Sequence, residues 1–374
     1  MLPQDSPCAW NGSAGRCVSV HRCFSAIKDI ANKTFPPLCS FEGKTPIICC
    51  TDCTLVEDTR LIVINPLLGI LYKTGTSKAK DKCIDYIHTL DYQCKNGLFP
   101  IIKKKKHDPS ENCTYEGTDN QLGNSFASGG RNAEREEFPH MALLGFGDTV
   151  DTANWLCGGT VISERFILTA AHCISSLRVG SVKFIALGIL KRSDAPSLWQ
   201  TYNVQRTIPH PEYQPPSKYH DIALLETDRI ISFSSKVLPA CLHDDNYDLD
   251  LYADATGWGA LGYKKNIADV LQSVSLRRFT EEDCSERYPK HRHLINGFDV
   301  LTQMCYGDTG DQQVPTDTCE GDSGGPLQSQ AHDRCVFTIL GVTSYGRPCG
   351  DAGGAGIYTR VKYYVPWIED IVWP

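Results

Sequence analysis

The sequence has no apolar run long enough to cross a bilayer. Its richest stretch, Leu61 to Tyr72, is short and interrupted by Pro66, so no membrane span is expected. Met1-Leu2-Pro3-Gln4-Asp5 offers neither a charged n-region nor an apolar h-region; the expectation is a leader that has been removed or omitted. Basic charge is not in excess. Lys and Arg number 37 against 44 Asp and Glu, a net charge of −7, which argues against a nucleic-acid footprint over the whole protein. There are no internal repeats. The 18 cysteines include no paired CxxC zinc pattern, so they point to disulfides and an oxidising compartment. The protein is expected to be secreted and extracellular, with neither a cofactor nor a metal. Three sequons agree, at Asn11, Asn32 and Asn112.

The 374 residues suffice for two or three domains. Residues 8 to 50 hold six cysteines: Cys8, Cys17, Cys23, Cys39, Cys49 and Cys50. A segment this small buries too little apolar surface to fold unaided, and disulfides are the expected remedy. Six cysteines allow about 15 connectivities. Residues 51–126 read as a linker or light chain, with turn formers, a Lys103–Lys106 run and a Gly/Asn/Ser-rich end at Gly117–Ser125. From Ala127 to Pro374 many short strands alternate with Gly and Pro turns, which suits two packed β-barrels in an all-β fold. Apolar residues Trp367, Ile368, Ile371 and Val372 recur at helical spacing, so Val365–Trp373 is expected to close the chain as a short helix.

The chemistry concentrates in Gly321-Asp322-Ser323-Gly324-Gly325-Pro326, with Asp317 six residues before Ser323. A serine hydroxyl is a weak nucleophile. It becomes a strong one when a neutral imidazole takes its proton and a carboxylate fixes the imidazole tautomer. Candidates for both partners lie upstream: His172 in Leu168-Thr169-Ala170-Ala171-His172-Cys173, and Asp221 in His220-Asp221-Ile222-Ala223-Leu224-Leu225. The order His, Asp, Ser, these flanks, and the landmarks Trp155–Ile162, Ala255–Gly259 and Gly341–Gly346 resemble the chymotrypsin-like serine proteases, whose triad works by this chemistry. The Cys49-Cys50 pair and the spacing before it resemble the clip domain of arthropod protease zymogens.

The resemblance implies a double six-stranded β-barrel at 127–374 behind a small disulfide-rich clip domain at 8–50. It implies Ser323 as nucleophile, His172 as general base, Asp221 as its orienting group, and the N–H groups of Gly321 and Ser323 as oxyanion hole. In trypsin-like members the residue matching Asp317 sits at the base of the primary pocket between walls matching Gly346 and Gly356. A buried carboxylate there selects Arg or Lys. Ser344, Tyr345 and Gly346 would pair with substrate backbone as an added strand. The implied disulfides are Cys8–Cys49, Cys17–Cys39, Cys23–Cys50, Cys157–Cys173, Cys284–Cys305, Cys319–Cys349 and a light-to-heavy-chain bridge, Cys113–Cys241. Cys83–Cys335 is a guess, with Cys53–Cys94 left by elimination.

Counting back from Phe138-Pro139-His140-Met141 places the activation cut at Phe126–Ala127. The new ammonium of Ala127 would pair with Asp322. Family members usually begin Ile-Val-Gly-Gly; this chain has Ala127-Ser128-Gly129-Gly130. Phe126 excludes self-activation by an Arg/Lys-specific enzyme, so a separate upstream protease is implied. The expected partners are that activator, a protein substrate such as a downstream protease zymogen, and a serpin-type inhibitor, in an immune, melanisation or developmental cascade. The alternatives are a non-catalytic clip-domain adaptor and a digestive or venom trypsin-like enzyme. The loop closed by Cys284 and Cys305, carrying Lys290-His291-Arg292-His293, is either a solvated loop or a substrate exosite.

Overall fold

A computed structural model describes residues 6–10, 13–20, 23, 26, 35–42, 45–51, 63–65, 69–71, 77–90, 92, 130–176, 178–244, 251–262, 265–307, 321–330, 336–346 and 354–374. Contacts divide the chain into two compact units: Met1–Thr76 with Phe99–Leu122, and Ser77–Leu98 with Gly123–Pro374.

In the first unit, β1 (Pro7–Trp10), β2 (Ser13–Ser19), β3 (Leu38–Glu42) and β4 (Thr45–Cys50) form an antiparallel sheet in the order β1-β2-β4-β3. A separate hairpin joins β5 (Val63–Asn65) to β6 (Gly69–Leu71). Disulfides join Cys8 to Cys49, Cys17 to Cys39 and Cys23 to Cys50. The buried cluster around Val18, Val20, Ala26 and Ile48 includes the sulfurs of Cys23 and Cys50. With so few large apolar side chains, the disulfides substitute for core volume as well as closing loops.

The second unit opens with α1 (Lys78–Thr89), inside the stretch that reads as a linker. Ser77 caps it by accepting from Lys80 N–H at 3.2 Å. The short β7 (Arg131–Asn132) follows. The first barrel is built from β8 (Met141–Phe146), β9 (Asn154–Val161), β10 (Phe166–Thr169), β12 (Gly180–Leu187), β13 (Gln200–Pro209) and β14 (Ala223–Thr227), with the two-residue β11 (Ser175–Ser176) hydrogen-bonded to β12. It closes because β12 pairs with β8. β8 and β10 are buried throughout, as expected for short apolar runs.

The second barrel is built from β16 (Tyr252–Gly257), β17 (Gln272–Arg278), β18 (Gln303–Gly307), β19 (Pro326–Gln330), β20 (Phe337–Gly346) and β21 (Ala355–Arg360). The β20–β21 pairing closes it, β15 (Cys241–Leu242) runs parallel to β20, and β7 pairs with β17. Both barrels are thus closed and six-stranded. α2 (Glu281–Arg287) is capped by Thr280, whose hydroxyl oxygen accepts from Asp283 N–H at 3.1 Å.

α3 (Val361–Val372) ends the chain and starts four residues before the sequence expectation. Its buried seam is Val361, Tyr364, Val365 and Ile368, at helical spacing from 361; Trp367, Ile371 and Val372 are only partly buried. That seam holds the helix through Pro366.

A buried polar link joins the barrels. His140, 1 % exposed, places Nε2 2.5 Å from Gln328 Oε1 on β19. Burial pushes its imidazole down to about 4, against the upward pull of the Gln328 hydrogen bond.

Candidate active site

The register of the first barrel brings His172 to Asp221. β10 and β14 are antiparallel with Thr169 opposite Ala223. His172 therefore leaves β10 at the edge where Asp221 enters β14. A 3-10 turn at Ala171–Cys173 carries the histidine, and the Cys157–Cys173 disulfide ties that turn back to β9. The backbone of His220, at φ 54°, occupies the left-handed region immediately before Asp221.

Asp221 is 2 % exposed. Its Oδ1 accepts the His172 backbone N–H at 2.9 Å, and its Oδ2 lies 2.8 Å from His172 Nδ1. The Ser344 hydroxyl donates to the same Oδ2, and the Thr359 hydroxyl donates to the Asp221 carbonyl at 2.9 Å. Burial acts to raise the Asp221 carboxyl. The His172 imidazole, Ser344 and the His172 N–H outweigh it and hold the carboxyl below its usual range. An ionised Asp221 requires a proton on Nδ1, which leaves the Nε2 lone pair free to act as a base.

Ser323 stands on a turn between Gly321 (φ 101°) and Gly324 (φ 77°), just before β19. Backbone bonds hold this turn from both barrels. Gly158 N–H on β9 donates to Ser323 O at 2.8 Å, and Gly324 N–H donates to Thr343 O on β20 at 2.8 Å. A Cβ on Gly324 would lie 2.2 Å from Thr169 Oγ1 and 2.6 Å from Gly158 O. Only glycine lets the Ser323 turn pack this closely against the strand end that leads to His172.

Asp322 lies beside β16. Gly259 N–H donates to its Oδ1 at 2.8 Å, and a Cβ on Gly257 would sit 2.0 Å from that oxygen. Gly257 pairs with Gln272, and Gln272 pairs with Asn132. Two strand spacings, roughly 10 Å, therefore separate Asn132 from Gly257. Gly346 and Gly356 are register partners across β20 and β21. Tyr345 is packed edge-on to Tyr288 at 5.7 Å, and burial raises its hydroxyl pKa.

Asp317, Cys319, Cys349, Phe126, Ala127 and Cys113 lie outside the described residues, as do the Cys53–Cys94 pair and the sequons at Asn11, Asn32 and Asn112. One disulfide expectation is overturned: Cys241 pairs with Cys83, not Cys113, across a Cα separation of 5.2 Å. The guess Cys83–Cys335 falls with it. The cause is α1, which lies against β15 and α3. Glu369 Oε1 on α3 accepts from the Ser77 hydroxyl at 2.6 Å and from Ala79 N–H at 2.7 Å. Tyr86 OH donates to Glu164 Oε2 at 2.8 Å, and Tyr92 OH donates to Pro239 O at 2.8 Å. Polar turn formers on either side of 77–92 gave no sign of this docking. The Lys80–Tyr86 stretch itself is charged apart from Cys83, Ile84 and Tyr86. Cys284–Cys305 is formed.

Three clusters bring metal-ligating residue types together among the described residues. Cys8/Cys17/Cys39 and Cys157/His172/Cys173 have their sulfurs in disulfides, which are not thiolate donors. In His210/Glu212/His220 the imidazoles stack with planes 16° apart, so their lone pairs lie in two nearly parallel planes and do not meet at one point. His220 Nδ1 is also 3.0 Å from Tyr364 OH. None of the three suits an ion.

A family profile described as Trypsin matches residues 127–368. Among curated proteins, the chain is 28 % identical to the Drosophila melanogaster protein "Serine protease snk", over 97 % of this chain and 77 % of that one. It is 28 % identical to "Phenoloxidase-activating enzyme 1" of Spodoptera litura, over 96 % of this chain and 92 % of the relative. It is 34 % identical to "CLIP domain-containing serine protease B4" of Anopheles gambiae, over 71 % and 73 %.

Proposed function

The chain belongs to the trypsin family of serine endopeptidases, in its clip-domain branch, and on that premise we propose that it is a secreted zymogen that cleaves protein substrates after Arg or Lys within an extracellular cascade. The observation that carries this is the double grip of Asp221 on His172, through both the backbone N–H and Nδ1, beside the Ser323 turn. His172 Nε2 removes the Ser323 proton as the hydroxyl attacks the scissile carbonyl. Gly321 and Ser323 N–H groups receive the oxyanion, and His172 then protonates the leaving amine. Asp221 holds the transient imidazolium, with Ser344 fixing the carboxylate from behind.

Asp317 selects the cationic side chain, and Ser344–Gly346 receives substrate backbone as an added strand. Cleavage at Phe126–Ala127 by an upstream protease of apolar or aromatic preference frees an ammonium that reaches Asp322 along the Asn132–Gln272–Gly257 register. The light chain then stays attached through Cys83–Cys241. A relative named for phenoloxidase activation supports a cascade role; within it the substrate would be a downstream protease zymogen and the inhibitor a serpin-type protein.

The test uses the full chain with Phe126→Arg, cut by immobilised trypsin, with N-terminal sequencing to locate the cut. Peptides ending in Arg should be turned over, and Ser323→Ala should reduce turnover at least about a thousandfold without altering the fold. Turnover that survives Ser323→Ala refutes the assignment. Arg cleavage that survives Asp317→Ser refutes the pocket.

A further inference from the structure

The loop closed by Cys284 and Cys305 presents a fixed cationic surface beside Tyr345. Tyr219 OH donates to Gly297 O at 2.7 Å and accepts from Asn296 N–H at 2.9 Å. Lys218 N–H donates to His293 O at 3.0 Å, and Gln303 Nε2 donates to Lys218 O at 3.0 Å. The Tyr288 hydroxyl donates to Ala355 O. The loop is therefore pinned to the Lys218–Tyr219 segment before Asp221 and, through Tyr288, to Ala355 on β21 beside Tyr345, so little ordering entropy is left to lose on binding.

Its tip carries Lys290, His291, Arg292 and His293, with the first three exposed. Lys218 Nζ stands 5.3 Å above the Tyr345 ring. These charges act on one another: desolvation, Arg292, His291 and Lys218 together lower the pKa of His293. Among the described residues every ion pair lies elsewhere. Lys218, Lys290 and Arg292, gathered here without an ion pair among the described residues, set positive charge on a chain of net charge −7, which orients an acidic partner as it arrives.

We propose that Lys218, Lys290, Arg292 and the two histidines form a docking surface for acidic side chains of the protein substrate, on the N-terminal side of its cleaved bond. This rests on the substrate strand proposed above along Ser344–Gly346. A chain added there carries the residues preceding the scissile bond past Tyr345 and beneath Lys218. Asp or Glu a few positions before the cut would meet Lys218 first and the loop tip beyond it. The substrate class is thus a protein whose cleavage-site arginine or lysine follows an acidic stretch.

The experiment compares two peptides identical except for Glu or Gln at the third to fifth positions before the arginine, using the cut full chain. At low salt kcat/KM should favour the Glu peptide by roughly 5- to 10-fold, the gain expected of a few exposed charge pairs. The preference should collapse toward unity in 1 M salt, where the screening length falls to about 3 Å. Lys290→Glu with Arg292→Glu should invert it, whereas Lys183→Glu on β12 should leave it unchanged. Binding of the fluorescein-labelled Glu peptide to the uncut chain, read by anisotropy, reports the surface without catalysis and should weaken by a similar factor in the double variant. Equal turnover of both peptides with Arg cleavage intact overturns the docking surface alone. Loss of all Arg cleavage overturns the function proposed above, and anisotropy indifferent to the double variant then overturns this inference too.

Discussion

The two compact units solve the folding problem with different materials. Around Cys8–Cys50, buried sulfur stands among a handful of aliphatics, and three disulfides hold four short strands. In the catalytic unit the core runs through Met141–Phe146, Phe166–Leu168, Ile222–Leu225, Trp258 and the seam of α3. Of its disulfides among the described residues, one sits beside His172, one closes the cationic loop and one ties α1 to β15. The same bond is structural material in one unit and a positioning device in the other, because only the larger unit buries enough apolar surface to fold without it.

Deleting one bridge from each unit tests that contrast most severely. Removing Cys17–Cys39 as an alanine pair, across 22 residues, costs about 3 kcal/mol of loop-closure entropy and should unfold the first unit. Removing Cys157–Cys173, across 16 residues, should lower the melting temperature of the catalytic unit and leave it folded. Limited proteolysis with mass spectrometry reads both. A protease-resistant first unit after its loss would show that its aliphatics suffice.

Acid should separate the catalytic unit next. His140 has a native value of about 4 against an unfolded 6.5. The unfolded chain therefore binds the extra proton first as pH falls, so the stabilisation present above pH 6.5 is lost progressively down to about 4, roughly 3 kcal/mol in all. Calorimetry should show this slope in the catalytic transition, and His140→Gln should flatten it. An unchanged slope would place the acid sensitivity in the carboxylates.

Two smaller effects fall on the segments that join the chain to the catalytic core. On the insertion proposed above, Ala127 in place of the family's usual Ile would forgo about three buried carbons, on the order of 2 kcal/mol. A two-state ordering of the oxyanion hole would then shift about 30-fold. Ala127→Ile should raise the activity of the cut enzyme, most on small substrates; equal activity would mean that neighbouring residues already compensate. Tyr86→Phe removes the hydrogen bond to Glu164 and should cost about 1 kcal/mol of catalytic-unit stability by denaturant melting. No change there would assign the docking of α1 to Cys83–Cys241 alone.

Legibility followed sequence range. His172, Asp221 and Ser323 each sit in a distinctive local string, and the register of β10 and β14 brings the first two together. The second role of Ser344 was hidden: its place beside Tyr345 suggests substrate contact, while its hydroxyl turns inward to Asp221, 123 residues away. Thr359 carried no signal at all. The expected start of α3 at Val365 rested on the spacing of Trp367, Ile368, Ile371 and Val372, whereas the buried seam begins at Val361.

The sequence by itself determined the residue types available for chemistry, the cysteine-dense first unit and the short-strand pattern of two barrels, since these are properties of neighbours along the chain. Tertiary structure alone decided that Cys241 takes Cys83 across 158 residues, that β12 closes on β8, and that Lys218 meets the ring of Tyr345. Every cysteine can bond any other and every cation can approach any ring. Which partner it finds is set by the packing of elements distant in sequence, and no local string carries that information.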